Sequence, residues 1–136
     1  MILVDTSALL EFYREGGRPE VAAAVADSIA SGEVAVNGMI MVEVMAFARD
    51  EDIGMLEDDF SAFHFVDVGP IVYREAARLG RDLRRAGVTV PATDLVIAAT
   101  ALVAGIPLLH ADEHFDLVAR HAGLDVRSPA KAMARR

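Results

Sequence analysis

Four short, largely apolar runs punctuate this chain at residues 2–4, 34–36, 65–68 and 107–109, with helical periodicity between them. Runs of three or four apolar residues bounded by turn formers have the length of a strand buried on both faces and are too short for a helix. Strands separated by helices pair in parallel through right-handed crossovers, so the pattern demands an α/β sheet flanked by helices. Punctuation sets the boundaries. Ile2, Leu3 and Val4 lead into a helix from Thr6 to about Arg14, which Gly16 and Gly17 end. Pro19 opens a second helix that stops at Gly32, and Asn37 caps a methionine-rich helix after the second strand. Another helix covers about 52–63. Pro70 starts a long helix ended by Gly87, 88–91 is loop, and a helix headed by Asp94 reaches Gly105. A helix at 114–122 precedes a short fifth strand at 124–126. The parallel central sheet therefore has about five strands in one domain, 1–136.

Composition narrows the class. The chain is 54% hydrophobic but only 6% aromatic, so its core is aliphatic, and it has no cysteine to form disulfides or thiolate sites. Asp5 and Glu11 interrupt the opening apolar residues, and the uncharged stretches 88–93 and 95–109 are split by Asp94 and broken by Gly105 and Pro107. Neither a leader nor a membrane span is expected, which predicts a soluble cytoplasmic protein. A net charge of −8 argues against broad, nonspecific nucleic-acid binding unless the acids are gathered at one place.

Four acids stand where an acid needs explaining. Asp5 closes the first strand, Glu43 lies alone in an apolar helix, Asp94 heads a long uncharged helix, and Asp112 follows the fourth strand. A carboxylate at the rim of a buried element is costly to desolvate unless a cation or several donors hold it. Asp5, Asp94 and Asp112 each precede a helix, so capping is the competing explanation for those three. Glu43 resists it, and its bland alternative is a buried ion pair with Arg49 or Arg14. The topology gives all four one address. Asp5 and Asp112 follow strands at the carboxyl edge of the sheet, where open α/β folds bind ligands, and Asp94 and Glu43 reach that edge from helices. Carboxylates without a His or Cys cluster select Mg²⁺ or Mn²⁺ rather than zinc. Such a site suits phosphodiester hydrolysis by metal-activated water.

The segments Met1-Ile2-Leu3-Val4-Asp5-Thr6-Ser7, Val42-Glu43-Val44, Ala92-Thr93-Asp94-Leu95-Val96-Ile97-Ala98-Ala99-Thr100-Ala101 and Leu108-Leu109-His110-Ala111-Asp112-Glu113-His114-Phe115 carry a resemblance in both order and spacing. The chain resembles PIN-domain ribonucleases, specifically the VapC-type toxins of VapBC toxin–antitoxin pairs, over nearly its whole length. The resemblance implies a single PIN domain with a three-layer fold and an Mg²⁺-dependent endoribonuclease in which Mn²⁺ can substitute. It implies Asp5, Asp94 and Asp112 as metal ligands and Glu43 as the fourth catalytic acid. Thr6 or Ser7 would orient Asp5, and Asp116 would be an auxiliary acid or simply a solvated helix residue. It further implies an RNA substrate, a homodimer, and a VapB-like antitoxin whose C-terminal segment covers the site. Two residues depart from the family pattern. His110 stands where Thr or Ser is usual, and Met39 where a polar helix-start residue is common.

Arg74, Arg78, Arg81 and Arg85 recur at helical spacing opposite a stripe of Val72, Ala76, Leu79 and Leu83. Arg84 and Arg85 end that helix one short loop before Asp94, so Arg81, Arg84 and Arg85 are candidate RNA contacts. A solvated face paired with Glu75 and Asp82 is the alternative. The tail adds Lys131, Arg135 and Arg136. Rival α/β functions fit less well. A receiver domain needs an acidic pair and a lysine near the last strand, yet the only lysine is Lys131. A dehalogenase-type phosphatase needs Asp-x-Asp, and Ser7 fills the second position. A degenerate binding module would have lost an acid.

Overall fold

The computed structural model describes residues 1–129, so Lys131, Arg135 and Arg136 lie outside the described residues. Strand β1 (Ile2–Val4) is followed by α1 (Thr6–Tyr13), α2 (Pro19–Ala30), β2 (Val34–Val36) and α3 (Gly38–Met45). A 3₁₀ turn (Asp50–Asp52) then enters α4 (Ile53–Ala62), and β3 (His64–Phe65), α5 (Pro70–Arg85) and α6 (Ala92–Ala104) follow. The described chain ends with β4 (Leu108–Leu109), α7 (Glu113–His121) and β5 (Val126–Arg127).

All pairings are parallel and the sheet order is β3-β2-β1-β4-β5. The chain therefore winds outward from β1 through β2 to β3, then restarts on the other side with β4 and β5. Strand β1 lies at that reversal, with Leu3 beside both Ala35 and Leu108 and Val4 beside Leu109. Beyond the carboxyl ends of β1 and β4 the crossovers diverge, and the resulting crevice is where doubly wound sheets place their chemistry. Asp5 and Asp112 flank it.

The three central strands are buried throughout, and Leu3, Val4, Ala35, Val36 and Leu108 have no exposed surface. Leu9, Val21, Val25, Ile40, Ile97 and Phe115 close over them from the helices. Burying one such side chain contributes about 1.5–3 kcal/mol, so the aliphatic residues outweigh the near absence of aromatics. The stripe Val72, Ala76, Leu79 and Leu83 seats α5, and Val72 and Ala76 meet Val96 and Ala99 of α6.

Two sequence expectations shift in register. The third strand is two residues at 64–65 rather than four at 65–68, and both are exposed at the sheet edge. Val66 still donates to the Val36 carbonyl at 2.8 Å before the chain turns at Gly69 into Pro70. The fifth strand is Val126–Arg127 rather than 124–126, because Leu124 is spent on the core and the Asp125 carbonyl takes the Leu108 N–H. The expected helix at 52–63 divides into the 3₁₀ turn and α4.

Two polar devices fix helix positions. Asn37 is wholly buried and caps α3 by accepting from the Ile40 N–H at 2.9 Å. Its amide donates to Thr100 Oγ1 at 3.0 Å, and that hydroxyl donates to the Val96 carbonyl at 2.7 Å. This satisfied network ties the start of α3 to the middle of α6, which sets Glu43 against Asp94. At the α1–α2 corner the Glu11 backbone passes so close to Gly17 that a Cβ there would lie 1.8 Å from the Glu11 carbonyl oxygen. Only glycine fits, and the corner is held tight.

Candidate metal centre

Asp5 caps α1. Its Oδ2 accepts from the Ser7 N–H at 2.9 Å and the Ser7 hydroxyl at 2.6 Å, while Ser7 Oγ accepts from the Ala111 N–H at 2.9 Å. One serine thus joins the loop after β1 to the loop after β4. Asp5 Oδ1 is different: it is buried, with no hydrogen-bond partner. The residue is 3% exposed. Burial pushes its carboxyl up to about 6 against the Ser7 hydrogen bonds, and the charges of Asp94 and Glu43 push the same way.

Glu43 projects from α3 and accepts from the Thr6 hydroxyl at 3.0 Å through Oε1. Partial burial raises its carboxyl above the ordinary value, and the charges of Asp94 and Asp112 add to this against the Thr6 bond. The bland alternative of a buried ion pair does not hold. Arg14 pairs with Glu11, and Arg49 pairs with Glu51 and Asp52. The α3 helix also has an exposed apolar side, with Val42 58% exposed and Phe47 just beyond it 89% exposed. Glu43 therefore stands at the border between core and solvent rather than wholly inside.

Asp94 is not a helix cap. The cap of α6 is Pro91, and Asp94 lies within the first turn with its side chain turned to His114. Asp94 Oδ2 and His114 Nδ1 are 2.9 Å apart, and the same nitrogen is 3.4 Å from Asp112 Oδ1. Burial raises the Asp94 carboxyl and the Asp112 charge adds to it, while the His114 contact opposes both. Asp112 does cap α7, accepting from the His114 N–H at 3.0 Å. Asp94, Asp112 and His114 each offer a ligand atom, all within 4.8 Å of one another. Asp5 and Glu43 stand outside this closest set and adjoin it through the mutual repulsion just described.

His110 fills the departure noted in the sequence as a core hydrogen bonder. It has no exposed surface, and its Nδ1 accepts from the Asp112 N–H at 3.1 Å. The tautomer then carries its proton on Nε2, which lies 3.4 Å from Asp116 Oδ1. Burial holds this imidazole below its ordinary value although the Asp116 and Asp112 charges oppose that, so the ring is neutral. Asp116, its side chain 17% exposed, is largely sheltered against His110 rather than a solvated helix residue.

The arginine stripe forms as a surface. Arg74, Arg78, Arg81, Arg84 and Arg85 are all exposed. Arg78 is bound by Glu75 and Asp82, and Arg85 reaches Asp82 at 3.4 Å. Among the described residues no ion pair engages Arg81 or Arg84, and no hydrogen bond or ion pair joins Arg81, Arg84 or Arg85 to the four acids.

Sequence reasoning missed two residues here. His114 is one; its spacing of two from Asp112 at a helix start was the available signal. Arg18 is the other. Its guanidinium donates to the Ala111 carbonyl at 3.2 Å, bracing the loop that carries Asp112, and its own N–H donates to Glu11 at 2.6 Å. Nothing in local sequence marks a contact across 93 positions. Arg18, Asp112, Asp116 and Arg120 line a cavity of about 420 Å³ on this side of the centre.

The donor set fits a divalent cation. A buried carboxylate oxygen without a partner and three acids held above their ordinary values mean that repulsion outweighs the available hydrogen bonds. A bound cation relieves both.

Comparison with known proteins identifies the family. Ribonuclease VapC11 of Mycobacterium tuberculosis is 35% identical over 134 residues, covering 94% of this chain and 98% of the relative. The structure of FitAcB from Neisseria gonorrhoeae superposes with a TM-score of 0.77 at 20% identity, covering 95% of this chain and 98% of the other. A toxin-antitoxin complex from Klebsiella pneumoniae gives 0.75 at 20% identity, with coverage of 95% and 98%. A family model described as PIN domain matches residues 2–121. Since that match includes all four acids and every strand but the last, the chain belongs to the PIN domain family.

Proposed function

We propose that the chain is a divalent-metal-dependent endoribonuclease, the toxin of a type II toxin–antitoxin pair, with Asp5, Glu43, Asp94 and Asp112 as its catalytic acids. The observation that carries this reading is Asp5 Oδ1, buried without a hydrogen-bond partner beside two further acids. A carboxylate kept in that state serves a cation. The resemblance to a VapC ribonuclease over nearly all of both chains supports RNA as the substrate.

Asp5, Asp94 and Asp112 would hold the ion, Mg²⁺ or Mn²⁺. When bound it polarises the phosphate, lowers the pKa of an attacking water and neutralises charge on the leaving oxygen. Ser7 orients Asp5, and its link to the Ala111 N–H keeps the Asp5 and Asp112 loops at fixed separation. Thr6 holds Glu43 through Oε1 and leaves Oε2 to take a proton from water. Its raised pKa makes it a better base than an ordinary glutamate. Asp116 steadies His110, which in turn receives the Asp112 N–H. Arg81, Arg84 and Arg85 would meet backbone phosphates at the end of α5.

The partners follow from apolar surface. A groove of about 690 Å³ beside Glu43 is lined by Leu10, Tyr13, Phe47, Met55 and Leu56. We assign it to a segment of a VapB-like antitoxin, which from there would cover the acids. A second groove of about 480 Å³, lined by Val42, Phe65, Val68 and Tyr73, suits a homodimer contact. Among the described residues no helix is long and apolar enough to cross a membrane.

The test is cleavage of total RNA by antitoxin-free protein with Mg²⁺, Mn²⁺ or EDTA. Discrete fragments with 5′-phosphate and 3′-hydroxyl ends are expected with metal only, and none from Asp94→Asn. Unchanged cleavage in EDTA, or 2′,3′-cyclic phosphate ends, would refute it.

A further inference from the structure

The residue that completes the closest ligand set is a histidine. His114 Nδ1 faces the same space as Asp94 Oδ2 and Asp112 Oδ1, at 2.9 and 3.4 Å. The position is built into the backbone. Asp112 caps α7 through the His114 N–H, which locks residues 112 and 114 onto one side of the first turn. The imidazole is 41% exposed, so ordinary core packing does not account for its orientation. The nitrogen and the two carboxylate oxygens face a common centre, all within 4.8 Å of one another.

We infer that His114 Nδ1 is a direct metal ligand, and that the resulting set of the Asp5, Asp94 and Asp112 carboxylates and one imidazole binds Mn²⁺ in preference to Mg²⁺. The inference rests on the metal-nuclease reading above and adds to it which ion the site selects. Mg²⁺ demands oxygen donors in near-ideal octahedral geometry and retains several waters. An imidazole nitrogen suits first-row transition metals better than Mg²⁺, and among these Mn²⁺ is the one that best keeps carboxylate and water ligands as well. The unpartnered Oδ1 of Asp5 is a second observation that points to a cation here, 3% exposed and under the field of Asp94. His110 does not compete for the role, since its Nδ1 is engaged by the Asp112 N–H and its ring is buried.

The experiment measures metal binding directly, without RNA. Mn²⁺ and Mg²⁺ affinities are taken by calorimetry on the full chain, and bound Mn²⁺ is examined by electron spin echo modulation for coupling to a ligand nitrogen. Wild type should show nitrogen coupling that His114→Gln abolishes. That variant should lose on the order of tenfold in Mn²⁺ affinity with far less change for Mg²⁺. His114→Asp, which restores a hard oxygen, should shift preference towards Mg²⁺ and keeps the test usable if the glutamine variant fails to fold. Bound Mn²⁺ without nitrogen coupling, or an Mn²⁺-to-Mg²⁺ ratio unchanged in both variants, would overturn the inference and leave the nuclease reading standing. Binding of neither ion by wild type would overturn both.

Discussion

Replacing Asp5 by Asn should stabilise the metal-free protein at neutral pH while destroying its metal site. The carboxyl is pushed from an ordinary 3.8 to about 6 by burial and by the neighbouring acids. Each tenfold change in proton affinity is worth about 1.4 kcal/mol, so ionising Asp5 costs the fold about 3 kcal/mol at most. The sign follows from proton uptake. Between pH 4 and 6 the folded state holds a proton that the unfolded state has released, so stability falls as pH rises through this window. Asn keeps the interactions that favour Asp5. Its carbonyl can accept from the Ser7 N–H and hydroxyl, and Asn caps helices as well as Asp. Its amide then occupies the position of the orphan Oδ1, where the charges of Asp94 and Glu43 favour a donor. Thermal melts of both proteins in EDTA, from pH 4 to 8, should nearly coincide at the acid end, diverge between pH 4 and 6 and stay apart above it. The variant should melt higher there by roughly 10 °C at most. Adding Mn²⁺ should raise wild type and leave the variant nearly unmoved. A variant less stable than wild type at every pH in EDTA would refute the reasoning and make Asp5 a structural cap.

Changing Arg81 and Arg85 together to Gln should weaken RNA binding and flatten the dependence of log affinity on log salt by about one contact each at most. Stability should move within about 0.5 kcal/mol, and an unchanged slope would return the stripe to a solvated surface. Glu11→Ala should destabilise by about 1–2 kcal/mol in denaturant melts, because Glu11 is 7% exposed and its loss leaves the Arg18 N–H without its acceptor, while the exposed Arg14 and Arg18 guanidinium groups turn to water. Its carboxyl is held below the ordinary value, first by the Arg18 N–H. The Glu11 contribution should therefore be present above pH 4.5 and fade as pH falls below it.

The alternation of short apolar runs with periodic stretches was enough to place every strand and helix within a few residues, since burial on both faces leaves a strand little choice of composition. The carboxyl edge was equally legible, because Asp5 and Asp112 each follow a strand directly. What local sequence could not display depends on apposition. Asp94 looks like a cap until α6 is seen to begin at Ala92, with Pro91 as its cap. His114 looks like any residue in a helical first turn until α6 and α7 bring it to Asp94. The apolar surroundings of Glu43 suggested burial, but Val42 and Phe47 face outward. A chain that keeps apolar side chains for a partner cannot be told from one that buries them by composition alone.

The link from Ser7 Oγ to the Ala111 N–H joins positions 104 residues apart. Strand β1, at the middle of the sheet, is made first and waits for β4 before its second edge is paired. At translation rates of roughly 5–20 residues per second, Asp5 precedes Asp112 by on the order of ten seconds. Throughout that interval a growing chain holds one acid of the centre without its counterpart across the crevice. On the proposed assignment, unfinished or prematurely terminated products lack one of the four acids and would be inert. For an enzyme that attacks RNA, the messenger and ribosome that make it are spared until the last fifth of the 136 residues is being made.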